Sequence, residues 1–132
     1  MSKDFQKWHG EKSFVHNDKK RPFFHVREVW FCSVGANVGF EQDGGGERYL
    51  RPVIVIRKFN NEVLWALPCT KNDKKGKYYL QIIILDDEQE RKSTAILSQM
   101  RLIDAKRLQY KAGVVSENDF IELKKRLRAL LE

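Results

Sequence analysis

Two side chains in this sequence have the chemistry to act on a phosphodiester. Arg51 stands before Pro52 at the head of the apolar run Val53-Ile54-Val55-Ile56, and Thr70 ends the run Leu67-Pro68-Cys69. A guanidinium is permanently charged and offers planar, paired N–H donors that match two phosphate oxygens at once. A hydroxyl adds a short neutral donor. Together they can hold a phosphodiester and stabilise the charge that builds on it during cleavage. The dipeptide alone says little, because Arg21-Pro22 is a second copy with no glycine-rich loop before it and no such apolar run after it. Thr70 alone also reads as an ordinary residue at the start of a turn.

The surroundings of the pair carry more weight. Residues 35–50 contain Gly39, Gly44, Gly45 and Gly46, and such a backbone can approach a ligand closely or move as a flap. The loop lacks the Gly-Lys-Ser/Thr ending of a P-loop, and a strand rather than a helix follows it, which argues against a dinucleotide fingerprint. Pro52 favours extended geometry at Arg51. After Thr70, the stretch Lys71-Asn72-Asp73-Lys74-Lys75-Gly76-Lys77 carries four lysines and one aspartate. Lys71, Lys74, Lys75 and Lys77 suit a phosphate backbone. The same stretch also reads as the solvated tip of a hairpin, and its adjacency to Thr70 favours the first reading.

Other elements must hold the pair in place. From Arg27 onward, short β-branched and aromatic runs alternate with polar turns, the pattern of a small all-β barrel or sandwich. The runs predict strands over 28–34, 52–58, 62–67, 78–85, 94–103 and 109–115, with Phe59-Asn60-Asn61 as a hairpin connection. The isoleucine-rich run Tyr78–Leu85 is expected to cross the core. A closing helix is predicted from Glu117 to Leu131. Ser116 and Asp119 form its capping box, acidic residues precede Lys124, Lys125, Arg126 and Arg128 as the helix dipole favours, and Phe120, Leu123, Leu127, Leu130 and Leu131 give it an apolar docking stripe.

Residues 1–25 differ from the rest. They are lysine-rich and hold all three histidines, His9, His16 and His25, with Phe5, Trp8 and Val15 able to share one face of a short helix. They are expected to form an N-terminal appendage, helical in part, on a barrel domain spanning 26–132.

With 132 residues and 42% hydrophobic content, the chain can bury one core. Its 25 Lys and Arg against 18 Asp and Glu leave a net charge of +7, which attracts a polyanion such as RNA or simply makes a solvated basic surface. Cys32 and Cys69 lie far apart in strand-like runs, with no CxxC spacing, and read as buried reduced thiols. The histidine spacing fits no metal motif, so neither a metal nor a cofactor is expected. The polar N-terminus lacks the apolar core of a signal peptide, and nowhere do about 18 apolar residues run together. A soluble cytoplasmic protein with no membrane partner is therefore expected.

Five blocks, ordered along the chain, resemble the MazF/PemK toxins of bacterial toxin–antitoxin systems. They are Glu28-Val29-Trp30, Gly39-Phe40-Glu41-Gln42, Arg51-Pro52-Val53-Ile54-Val55-Ile56, Leu67-Pro68-Cys69-Thr70 and the run from Leu97-Ser98-Gln99-Met100-Arg101 through Leu108. The resemblance covers residues 27–131, and the second and last blocks are its most specific. It implies a mainly β fold with a C-terminal helix, an SH3-like small barrel of the MazF/CcdB-like α+β kind. It also implies a homodimeric endoribonuclease that cleaves single-stranded RNA without a metal and is neutralised by a cognate antitoxin, with which such toxins bind DNA in autoregulation. Arg51 and Thr70 match the family's catalytic arginine and threonine. The substrate's own 2′-OH is then the nucleophile, the products are a 2′,3′-cyclic phosphate and a 5′-OH, and DNA is excluded as substrate. Gln42 and Gln99 become candidates for base reading or loop positioning, with the four lysines as phosphate contacts.

The resemblance leaves the proton acceptor open. Arg51 stays protonated, so it suits an acid or an electrostatic clamp better than a base. No histidine falls inside the five blocks, and His25 lies nearest. Asp43 to Leu50 also separate Gln42 from Arg51, a longer flap than the family's few residues, which bears on RNA preference more than on the reaction. Two other readings use the same barrel: a non-enzymatic, CcdB-like toxin that binds DNA gyrase, and a catalytically silent barrel that binds RNA or an antitoxin. The Arg51 and Thr70 pair favours the ribonuclease.

Overall fold

The β-branched runs form strands, and the strands close on themselves. The computed structural model describes residues 21–33 and 50–132, so the expected N-terminal helix, His9, His16, the glycine flap and Gln42 lie outside the described residues. The elements in chain order are β1 (Glu28–Ser33), β2 (Leu50–Lys58), β3 (Val63–Thr70), β4 (Tyr79–Leu85), β5 (Glu90–Ile96), β6 (Arg101–Asp104), β7 (Leu108–Val115) and α1 (Glu117–Ala129). All their pairings are antiparallel, in the order β2-β1-β7-β4-β5-β3, and β3 pairs back onto β2 to complete a six-stranded ring. β6 takes the edge of β3 beyond β5. This is the small barrel with a C-terminal helix that the sequence predicts.

Strand alternation divides the apolar side chains into two cores. One draws Val29, Ile54, Leu67, Cys69, Ile82, Ile84, Ala95 and Val115 from all six ring strands, and is therefore the barrel interior. Phe120 and Leu123 of α1 are buried with it. The second lies on the opposite face of β1, β2 and β3, where Trp30, Cys32, Val53, Val55, Leu64 and Ala66 pack with Ile103, Ala105, Leu108 and the fully buried Phe24. Ile82 and Ile84 of β4 enter the interior as expected, whereas Leu85 is exposed.

The predicted strand over 94–103 is two strands. A single 3-10 turn, Leu97–Gln99, breaks it, so that β5 pairs with Cys69 and Thr70 while β6 pairs with residues Val63 to Ala66 of the same strand. The apolar run Ala95-Ile96-Leu97 conceals this break because all three side chains stay buried through the turn. β5 also starts earlier than predicted, in the polar residues Glu90–Ser93. β3 runs on through Pro68 and Cys69 to Thr70. The asparagine turn forms as expected, with Asn60 Oδ1 accepting from the amides of Glu62 at 2.7 Å and Val63 at 3.0 Å.

The capping box is half made. Ser116 Oγ accepts from Asp119 N at 3.3 Å, but the Asp119 carboxylate accepts from Ile83 N at 2.7 Å and Ser116 N donates to Ile83 O at 2.9 Å. The side chain that would close the box instead ties the helix start to β4. Leu127 packs against the interior, whereas Leu130 and Leu131 are exposed, so the docking stripe ends a turn earlier than its sequence suggests. Gly113 has φ +155° at the bulge between Val29 and Trp30, and a Cβ there would meet Leu85 O at 2.6 Å; only glycine lets β7 approach β4 so closely.

The segment before β1 is fastened to the barrel. Arg21 donates from Nε and Nη2 to the two oxygens of Asp104 at 3.1 and 3.0 Å, and Lys58 Nζ donates to Phe24 O at 2.8 Å. The buried Glu28 accepts from Trp30 Nε1 and His25 N, each at 2.9 Å, with Lys111 Nζ 3.3 Å away. Burial works to raise the Glu28 pKa, yet these donors hold it below the usual carboxylate value. The Glu28-Val29-Trp30 block is thus explained by structure: two residues apart on one strand face, Glu28 and Trp30 satisfy each other.

Candidate active site

Arg51 and Thr70 come to one end of the barrel on two neighbouring strands. The β2–β3 ladder runs from Lys58↔Leu64 to Val53↔Pro68, and two further steps along each strand bring Arg51 level with Thr70. Both belong to the alternation series whose other members face away from the interior: Val53 and Val55 on β2, Leu64 and Ala66 on β3. Both are half-buried. Pro52 sits opposite Phe31 within the β1–β2 ladder, and Arg51 opposite Cys32.

Thr70 is held on three sides. Its hydroxyl accepts from Asn72 N at 3.2 Å, its carbonyl accepts from Ser93 Oγ at 3.2 Å, and its Cα partner on β5 is Thr94. Thr94 is buried, at 3% exposure, and pairs in turn with the exposed Gln81 on β4. Directly paired residues share a sheet face, so Thr70, Thr94 and Gln81 form one polar row across three strands.

The lysine loop lies beside this row, but not as a hairpin tip. β3 and β4 are not neighbours; they run parallel on either side of β5, so residues 71–78 must cross a face of β5. The interior face is filled by Ala95 and its neighbours, which leaves the outer one, over Thr94. Asp73 accepts a hydrogen bond from Gln81 Nε2 and ties the crossing down. Lys71, Lys74, Lys75 and Lys77 are all exposed along it. Gln99 is exposed in the 3-10 turn, on the β3 edge between the pairs Ala66↔Arg101 and Cys69↔Ala95.

Positive charge concentrates at this end. Burial pushes the Cys69 thiol up to about 12, against a hydrogen bond from Ser93 and the field of Arg51. It pushes Cys32 up to about 11, against the fields of Arg107 and Arg101. Three arginines therefore act on the two thiols at this end, and Arg107 Nη1 also donates to Ser33 O at 3.1 Å, holding the end of β1. Both cysteines are buried and unbridged, and such thiols are inert at neutral pH. His25 lies elsewhere. It precedes the start of β1, whereas Arg51 pairs with Cys32 near the strand's end, about 13 Å further along at 3.3 Å per residue. Its ring Nδ1 is 3.1 Å from Glu28 Oε2.

Sequence alone gives no site role to Ser93, Thr94, Gln81 or Asp73. Only strand register assembles them, and no one-dimensional motif carries register between strands that are not adjacent in the chain.

Comparison with known proteins agrees with this architecture. The fold is similar to that of MazF from Deinococcus radiodurans, with a TM-score of 0.62 at 17% identity over 83% of this chain and 97% of that one. It is similar to an endoribonuclease in complex with its cognate antitoxin from a mycobacterial species, with a TM-score of 0.61 at 10% identity over 83% and 95% of the two chains. A MazE–MazF structure from D. radiodurans gives 0.57 at 14% identity over 83% and 96%. At such identities the likeness speaks for the fold. No curated protein matches the sequence. The profile of PemK-like, MazF-like toxins matches residues 25–131, which takes in every described strand and the helix, and by that match the chain belongs to the PemK-like, MazF-like toxins of type II toxin–antitoxin systems.

Proposed function

We propose that the protein is an endoribonuclease toxin that cleaves single-stranded RNA through attack of the substrate's own 2′-OH, with Arg51 and Thr70 as its catalytic residues. The observation that carries this reading is the register that sets Arg51 level with Thr70 on one outward face, beside a crossing loop of four exposed lysines. Lys71, Lys74, Lys75 and Lys77 contact the phosphate backbone as the strand passes. Attack of the 2′-OH builds charge on the pentacovalent phosphorus. Arg51 clamps the equatorial oxygens and Thr70 donates its hydroxyl to the same charge. Asn72 N donates to the Thr70 oxygen, which leaves the hydroxyl proton to point at the substrate. Neither His25, at the far end of β1, nor the buried thiol of Cys69 takes the proton from the 2′-OH. The products are a 2′,3′-cyclic phosphate and a 5′-OH, the chemistry needs no metal, and Gln42 and Gln99 serve base selection.

The protein acts in the cytoplasm as a homodimer under the control of a cognate antitoxin, with which it binds DNA in autoregulation. Family membership supports the antitoxin, as does the similarity to structures described as holding one. The test is incubation of purified protein with a long RNA in EDTA, with cut sites and end groups mapped, for wild type, Arg51→Ala and Thr70→Ala. Cleavage to cyclic-phosphate ends by the wild type, with strong loss in both variants, is expected. A silent wild type, or Arg51→Ala cutting at the wild-type rate, overturns the reading.

A further inference from the structure

Ser93 is a polar residue on an apolar face. It pairs with Ile82 across the β4–β5 ladder and shares its alternation series with Ala95, so its side chain belongs to the face that lines the barrel interior. Here, near the end of the barrel, it is half-buried, and its hydroxyl donates to Thr70 O at 3.2 Å. Burial keeps the neighbouring Cys69 thiol protonated at neutral pH, and a thiol sulfur is a weak acceptor. The one hydroxyl proton of Ser93 therefore goes to the Thr70 carbonyl.

That carbonyl is the last of β3, and its direction bears on the hydroxyl of the same residue. The torsion ψ of Thr70 sets both where the carbonyl points and where the chain runs next. Two residues on, Asn72 N donates to Thr70 Oγ1 at 3.2 Å, the local turn that threonine hydroxyls make. Ser93 fixes ψ, ψ places the Asn72 amide, and the amide holds Thr70 in one χ1 rotamer. A threonine released from that amide can swing its oxygen into another staggered well, which takes the donor out of line with the phosphate. Misplacing a catalytic group by about 1 Å can cost as much as 10²-fold in rate.

We infer that Ser93 is a positioning residue for RNA cleavage: it acts through Thr70, by fixing the carbonyl from which the Thr70–Asn72 turn starts. This rests on the ribonuclease reading above.

The test is single-turnover cleavage of a long RNA in EDTA over a range of enzyme concentrations, for the wild type, Ser93→Ala, Thr70→Ala and the double variant, with melting curves alongside. Ser93→Ala removes one oxygen and adds no bulk, so the fold is kept. Its rate at saturating enzyme should fall by about five- to tenfold, the scale of one neutral hydrogen bond, while the half-saturating concentration, set by the lysines, stays at the wild-type value. On top of Thr70→Ala the same change should cost less than about twofold, because the group it positions is gone. Cleavage by Ser93→Ala at the wild-type rate, a loss that appears in the half-saturating concentration instead, or an equal loss in the Thr70→Ala background each overturns the assignment of Ser93 and leaves the ribonuclease standing. A wild type that cuts no RNA overturns the ribonuclease and this inference with it.

Discussion

The chain contains the dipeptide Arg-Pro twice, and the two copies do different things. Arg21 is spent on Asp104: two hydrogen bonds, at 3.1 and 3.0 Å, join the guanidinium to both carboxylate oxygens and fasten the segment before β1 to β6. Arg51 stands in β2, level with a threonine and next to a basic crossing loop, with its field felt at Cys69. The same geometry that lets a guanidinium grip a phosphate lets it grip a carboxylate. Which use it finds depends on what the fold sets opposite it. An arginine with a bidentate carboxylate is a fastener, and an arginine opposite a hydroxyl, among further cations, is suited to receive an anion.

The largest effect belongs to the fastened region. Phe24 is fully buried in the second core, and Phe24→Ala is expected to destabilise the fold by about 3–5 kcal/mol, as large-to-small aromatic substitutions in cores do, measured by denaturant unfolding. RNA cleavage per folded molecule should stay near wild type. A loss of specific activity with stability intact would show that the region before β1 serves the site rather than the core.

Next comes the site. Arg51→Ala is expected to cut the cleavage rate by about 10²–10³-fold, the range for removing one preorganised donor to a developing oxyanion, with its melting temperature close to wild type. Thr70→Ala should fall at the lower end of that range, because its hydroxyl is a neutral donor. A cleavage assay under single-turnover conditions checks both. A milder loss at Arg51 than at Thr70 would reverse the roles proposed for the pair.

These two regions were not equally legible in the sequence. The Arg51 and Thr70 pair could be found because each ends an apolar run, and a run of β-branched residues reads as a strand wherever it occurs. Their alignment could not, since it follows from the β2–β3 register. The lysine stretch was legible as a basic loop but also suggested a hairpin tip, because consecutive strands commonly pair. Here β5 comes between β3 and β4, a fact held only in long-range pairing. Gln81 and Thr94 were invisible for the same reason. Phe24 and Arg21 lay in a stretch that composition marks as an appendage, yet the described part of it fills a core and makes an ion pair. The Asp104-Ala105-Lys106 stretch of the last resembling block also has a structural use: Asp104 accepts from Lys106 N at 2.8 Å and caps the turn that follows β6.

The smallest effect tests the fastener itself. Arg21→Ala should leave the cleavage rate unchanged and lower the melting temperature only slightly, since ion pairs with both partners partly solvated contribute little. Its signature is in the pH dependence. Partial burial works to raise the Asp104 pKa, but the hydrogen bonds from Arg21 and Lys106 N, with the charges of both residues, hold it below the ordinary carboxylate value. A carboxylate with a depressed folded-state pKa contributes stability that is fully present above its unfolded value, about 4, and is lost as pH falls through the lower folded one. Asp104→Asn should therefore be less stable than wild type at neutral pH, and the gap should close as melting is followed down below pH 4. Arg21→Ala should show the same convergence. A gap between Asp104→Asn and wild type that persists at pH 2 would mean that the carboxylate's charge is not what fastens the segment, and the contrast between the two Arg-Pro copies would then rest on Phe24 alone.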